Sequence, residues 1–255
     1  MNTGPALALS LLAAALPLRL CAADSPPPQD VWTGKGQAGY LSSHGNSQAR
    51  SANAALDMSL VTGPWKHAFH LAGLYGQSAG IVSAERWDTQ WQTNYQFSPK
   101  AFVFAGLRYE HDMFSGFRYQ ASGTAGLGYK VVDSKSTQLS IQLGAGVRQL
   151  QPETITRDAA GVVIARTPLP SERNAVATAG LDYAHTLTAT TSITDKLLVE
   201  SGAADTLMTN ALALAVKINA KLALSLGYNV QDNTKPPAGL RKIDTLETVN
   251  LVYSF

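Results

Sequence analysis

The chain has 255 residues, 45% hydrophobic and 15% charged, with a formal net charge of +2 at pH 7, and so small a basic excess excludes a nucleic-acid binder. A single cysteine excludes a disulfide framework and a thiolate metal site. A mean hydropathy of -0.03 argues against helical membrane spans but not against spanning strands, which need only about ten residues with every second one apolar.

The one long apolar run, Pro5 to Leu18, is too short to cross a bilayer as a helix and suits the hydrophobic segment of a secretory signal. Small residues follow at Cys21, Ala22 and Ala23, so residues 1–23 read as a cleaved signal peptide and Asp24 as the first mature residue. Cys21 does not read as a lipidation site, because Leu20 before it is not small. Cleavage removes Arg19, leaving 19 basic against 18 acidic residues and a charge of +1. It also removes the sole cysteine, which suits an oxidising compartment. Residues 24–30 form a proline-rich periplasmic segment ahead of a barrel over 31–255.

From Val31 onward, apolar and polar residues alternate with a period of two, and turn residues interrupt the pattern every ten to twenty positions or so. The spacing predicts twelve strands, at about 31–41, 48–61, 65–76, 85–97, 101–112, 117–132, 137–149, 174–187, 190–200, 207–218, 221–231 and 243–255. In the fourth, Trp87, Thr89, Trp91, Thr93, Tyr95 and Phe97 oppose Asp88, Gln90, Gln92, Asn94 and Gln96. The sixth sets Phe117, Tyr119, Leu127, Tyr129 and Val131 against Arg118, Gln120, Ser122, Thr124 and Lys130. The eighth and ninth alternate less cleanly, because Val176 and Leu198 fall on the polar parity.

Connections read as short at Thr62 to Pro64, Ser98 to Lys100, Asp133 to Ser136, Thr188 to Ala189 and Asn219 to Ala220. They read as longer around His44, Ser78 to Ala84, Met113 to Gly116, Gln151 to Arg173, Gly202 to Thr206 and Asp232 to Lys242. Short periplasmic turns alternating with longer external loops are the pattern of an outer-membrane barrel. On this topology Tyr40, Tyr75, Trp87, Tyr109, Phe117 and Tyr228 fall at the outer rim, and Trp32, Trp65, Tyr95, Phe97, Tyr129, Tyr183, Tyr253 and Phe255 at the inner rim. Such girdles mark lipid–water interfaces. A soluble β-sandwich would place Val, Ile and Leu on its inward face, whereas here one face is Gln, Asn, Ser, Thr, Arg and Asp. The expected fold is therefore all-β: a transmembrane antiparallel β-barrel of about twelve strands in the bacterial outer membrane. Leu251, Tyr253 and Phe255 share one face of the last strand, in the manner of the terminal signal read by the barrel assembly machinery.

At Gly45-Asn46-Ser47, at Tyr109-Glu110-His111-Asp112-Met113-Phe114-Ser115-Gly116 and at Gly126-Leu127-Gly128-Tyr129, the chain resembles the YdiY-like family of salt-induced outer-membrane proteins, over about Trp32 to Phe255. The resemblance implies a barrel of unknown function and brings no catalytic or binding residue with it.

Parity assigns the lumen the charges Lys35, Asp57, Lys66, Arg86, Asp88, Arg108, Glu110, Asp112, Arg118, Lys130, Arg148, Asp182, Lys196, Glu200, Lys217 and Asp244. Arg86, Arg108, Arg118 and Arg148, interleaved with Asp88, Glu110 and Asp112, read either as a cross-strand ion network filling the lumen or as a constriction favouring small anionic solutes. Twelve strands leave both readings open. No catalytic residue, metal site or cofactor is expected: His111, Asp112 and Ser115 come nearest to a nucleophile–base set but read as loop structure. The glycine clusters lie within strands, with no helix after them to hold a phosphate. The expected protein is a monomer in contact with outer-membrane lipid, acting as a narrow channel or envelope-integrity barrel. An enzyme or surface receptor using the Gln151 to Arg173 segment is the alternative.

Overall fold

The computed structural model describes residues 30–43, 48–159, 163–237 and 239–255. The signal peptide, most of the proline-rich segment and Gly45-Asn46-Ser47 lie outside them. Strict alternation leaves extended backbone as the conformation that sorts polar from apolar side chains, and the described residues form strands joined by turns. These are β1 (Val31–Ser43), β2 (Ala49–Thr62), β3 (Trp65–Ser78), β4 (Ile81–Gln96), β5 (Ala101–Asp112), β6 (Phe117–Asp133), β7 (Thr137–Arg157), β8 (Val163–Pro168), β9 (Glu172–Thr186), β10 (Thr191–Gly202), β11 (Thr206–Lys217), β12 (Leu222–Asn233) and β13 (Ile243–Ser254).

All pairings are antiparallel, and twelve of the strands close into a ring: β1 to β7 in order, then β9 to β13, with β13 returning to β1. At the closure the Gly34 N–H donates to the Phe255 carbonyl at 2.9 Å, and the Phe255 N–H donates to the Gly34 carbonyl at 3.0 Å. Closure satisfies the backbone polar groups that an open edge would leave exposed to lipid. Trp65, Phe69, Leu71, Trp91, Leu107, Leu127, Leu143, Leu226 and Val249 all point outward and are exposed. That is the apolar band of a transmembrane barrel of the outer-membrane type. Rings gather at its margins: Trp87 stacks on Tyr109 at 5.0 Å and Tyr109 on Tyr119 at 5.8 Å at one rim, and Trp65 meets Tyr95 at 4.8 Å at the other.

Three details differ from the sequence reading. The Gln151 to Arg173 connection is not an irregular loop: β7 runs on to Arg157 and pairs with β8, making a hairpin beyond the ring. Ser78 to Ala84 is not a loop either, since β3 and β4 pair across a turn at Ala79-Gly80, both with positive φ, and a bulge at Gly76/Gln77 absorbs the extra residue. The third concerns β6. Its ladder with β7 shifts between Phe117 and Tyr119 and its ladder with β5 between Phe117 and Gln120, so one residue is extra. The bulge turns Phe117 into the interior, where it is 6% exposed, and puts Arg118 outside. Phe117 therefore does not belong to the outer girdle, nor Arg118 to the lumen.

Inside, space is short. A Cβ on Gly128 would overlap the ring of Phe102, and one on Gly126 or Gly144 would overlap the backbone of the neighbouring strand. Phe102 and Phe104 lie on the same parity of β5 as Arg108 and Glu110 and are 5% and 6% exposed, filling the half of the lumen nearer the chain termini. Val176 and Leu198, which fall on the polar parity, face inward with them, Val176 buried and Leu198 on the wall of a small cavity.

Candidate functional site

Even positions on β4, β5, β7, β9 and β10, even ones on β6 between its two bulges, and odd ones on β11 and β12 face the lumen because the ladders place them opposite one another. Arg86 and Asp88 on β4, Arg108 and Glu110 on β5, Arg148 on β7, Glu200 on β10 and Gln231 on β12 thereby meet in the half of the barrel away from the termini. Arg86 Nη2 donates to Glu110 Oε2 at 3.3 Å, Arg86 Nε stands 3.7 Å from Asp88, and Arg108 pairs with the same Glu110 oxygen. Arg108 Nη1 lies 3.7 Å from Glu200, Arg148 Nη1 lies 3.9 Å from Glu200, and Arg148 Nη2 pairs with Asp205. Gln231 ties in the far side. Its Oε1 accepts from Arg86 Nη1 at 3.0 Å, and its Nε2 donates to Glu110 Oε1 at 3.3 Å.

β5 and β12 are six strands apart in a ring of twelve, so the Gln231–Glu110 bond spans the barrel's diameter. A side chain on one wall that reaches its opposite number divides the lumen at that level. Glu110 and Arg148 are 1% exposed and Glu200 2%, while the cavity beneath the network, walled by Phe104, Gln142 and Leu198, measures about 40 Å³. Above it lies a vestibule of about 200 Å³. The bridge is not fully satisfied: Arg148 Nε, Arg148 Nη1, Glu200 Oε2 and Asp205 Oδ2 are buried without a hydrogen-bond partner. A second row of pairs continues around the wall. Asp57 lies 3.5 Å from Lys35 and 2.8 Å from His70 Nδ1, and His70 Nε2 is 3.5 Å from Asp88.

Of the sequence-predicted set, Arg86, Asp88, Arg108, Glu110 and Arg148 come together. Asp112 faces inward but accepts from the Phe114 N–H at 2.8 Å, shaping the β5–β6 turn, and Arg118 is outside. Parity counted through a bulge gives the wrong face, and a single bulged residue leaves no mark in an alternating string. Asp205 and Gln231 were missed. Asp205 sits in the β10–β11 turn, where alternation says nothing, and Gln231 was passed over as uncharged although its odd position on β12 faces in. His111 and Asp112 point to opposite faces, and His111 Nδ1 lies 2.6 Å from the Arg118 carbonyl, so the two do not form a dyad. Among the described residues no group of three or more His, Cys, Asp or Glu could hold a metal.

A comparison with curated proteins finds no match. Among solved structures the chain is similar to the NanC porin, at 14% identity and a TM-score of 0.46 over 88% of this chain and 99% of that one. It is also similar to an outer membrane channel from Pseudomonas putida F1, at 11% identity and a TM-score of 0.44 over 93% and 100%. A third is the translocator domain of the autotransporter NalP from Neisseria meningitidis, at 12% identity and a TM-score of 0.45 over 90% and 89%. The family described as "Protein of unknown function, DUF481" matches residues 36–255, from β1 through the end of the barrel, and the chain belongs to that family.

Proposed function

We propose that the protein is a narrow outer-membrane channel that rests closed, its passage bridged by a network that must part before anything crosses. The observation that carries this reading is the Gln231–Glu110 hydrogen bond across the full width of the ring. Two features favour a bridge that opens over a permanent filling. Buried ion pairs seal a lumen less economically than well-packed apolar side chains, and four of the bridge's polar atoms lack a hydrogen-bond partner, which lowers the cost of parting it. Each of Arg86, Arg108 and Arg148 faces a carboxylate, and with Asp88 the seven groups sum to -1. That balance favours passage of small hydrophilic solutes with little ionic preference over an anion-biased pore.

The test is conductance of the purified, folded protein in planar bilayers. Wild type is expected to be silent, and a variant combining Arg108→Ala, Glu110→Ala, Glu200→Ala and Phe104→Ala is expected to give resolvable steps. Steady conductance from wild type would remove the closed state, and silence from the folded variant would remove the channel. The second outcome would favour a structural barrel that maintains the envelope, a reading supported by Phe102 and Phe104 packed inside.

Around this core we place the rest of the expected biology: a signal peptide over residues 1–23, insertion by the barrel assembly machinery reading Leu251, Tyr253 and Phe255, a monomer in outer-membrane lipid, and expression rising with external salt as the YdiY-like resemblance implies.

A further inference from the structure

The vestibule above the bridge is bounded by two turns from opposite sides of the ring. After β12 the chain makes a tight turn, in which the Leu240 N–H donates to the Pro237 carbonyl at 3.1 Å and Gly239 sits at a φ of 85°, a left-handed conformation that suits glycine. This turn sets Pro237 and Leu240 against Gly116, in the turn after β5, where they occupy the space a Cβ would need. β5 and β12 stand across the ring from each other, so the two turns and the bridge below them bound the space of about 200 Å³.

Its lining divides by chemistry. The β6 bulge that turns Phe117 inward gives it an apolar side, together with Pro237 and Leu240, and Arg241, Lys242 and Asp244 give it a charged one. All three charged residues are exposed, so a solute in the mouth can reach them. Among the described residues none of the three enters an ion pair, so two cations and a carboxylate stand apart around one space. Asp244 and Asp112 lie near enough to repel each other; Arg86 acts on both, but Glu110 and Asp88 already hold it. On the floor Gln120 is 3% exposed and its Oε1 has no hydrogen-bond partner, and an unmade buried acceptor is a cost that a ligand bringing a donor removes. The lining therefore asks for an anion on one side, a cationic donor on the other and a small apolar body between. We propose that the vestibule binds a zwitterionic amino acid with an aliphatic side chain, its carboxylate on Arg241 and Lys242, its ammonium toward Asp244 and Gln120, and its side chain against Phe117 and Leu240. Such a solute carries no net charge, in keeping with the nearly balanced bridge beneath it. The proposal deepens the reading of a gated passage by naming its solute class. Binding in the vestibule needs no current, so a failed binding test strikes the solute and leaves the channel to the bilayer experiment.

Saturation-transfer difference NMR on the folded protein in dodecyl maltoside, with L-leucine as the probe, tests it. Leucine is expected to give a saturable signal. 4-Methylpentanoate, which lacks the ammonium, and 3-methylbutylamine, which lacks the carboxylate, should each bind about tenfold more weakly, the loss of one charge-assisted contact. Arg241→Gln with Lys242→Gln should weaken leucine without weakening 3-methylbutylamine, whereas Asp244→Asn should weaken leucine without weakening 4-methylpentanoate. A retained difference between boiled and unboiled gel mobility shows that each variant folds. Absence of a saturable leucine signal from wild type, or an equal signal from the variant carrying all three substitutions, overturns the site. Binding of 4-methylpentanoate as tight as that of leucine overturns the zwitterion in favour of a simple carboxylate.

Discussion

Gly128 and Phe102 share one volume inside the wall: the ring lies where a Cβ on Gly128 would go. Overpacking of this kind costs about 1–3 kcal/mol, so Gly128→Ala should lower unfolding stability in urea by that amount. In a Phe102→Leu background, where the obstructing ring is gone, most of the loss should vanish; an additive double mutant would show that the ring is not the obstacle. Arg148 obeys a different rule. It is buried against Glu200 and Asp205, and removing one partner of a buried pair leaves an uncompensated charge worth about 3–5 kcal/mol. Arg148→Gln should destabilise the barrel by about 3 kcal/mol, while replacing Arg148, Glu200 and Asp205 together by Met, Leu and Leu should change stability by no more than about 1 kcal/mol. Equal losses in the two variants would mean that the charges are hydrated rather than desolvated.

At the scale of single strands, the bulge in β6 makes its own forecast. Arg118 is the extra residue between two shifted ladders, so deleting it should let Phe117 take the regular inward position and leave the ladders in register. The deletion variant should still shift between boiled and unboiled gel mobility and unfold within about 1 kcal/mol of wild type, an ordinary value for a change away from packed or buried polar groups. Deleting Tyr119 instead should impair folding, because it would take out a ring of the Trp87–Tyr109–Tyr119 stack. This is also where the sequence was legible and where it was not. A period of two survives any uniform environment, so the twelve ring strands could be read with ends displaced by a few residues. It carries no record of a one-residue insertion, which is why Arg118 and Phe117 were assigned to exchanged faces. β8 was hidden because it packs beyond the ring, away from the lipid that imposes the pattern. The bridge was half visible: its charges declare themselves by parity, but Asp205 in a turn and Gln231 across the ring depend on how wide the closed cylinder is, which no single strand specifies.

For the whole molecule, two obstructions lie in series along one axis, the ionic bridge and the Phe102–Phe104 filling. Conductance through elements in series is governed by the narrower, so truncating the bridge alone, or the two phenylalanines alone, should leave current near the wild-type level, and only the combination should raise it. Two comparable single-block effects would instead indicate parallel paths. The bridge also has a mechanical consequence. A thin-walled cylinder in a fluid sheet under lateral pressure yields most readily by flattening into an ellipse, because bending a wall costs less than stretching one. A strut between β5 and β12 resists that mode directly, much as a spoke keeps a wheel round. Whatever loosens the strut should make the cross-section softer before it makes it wider.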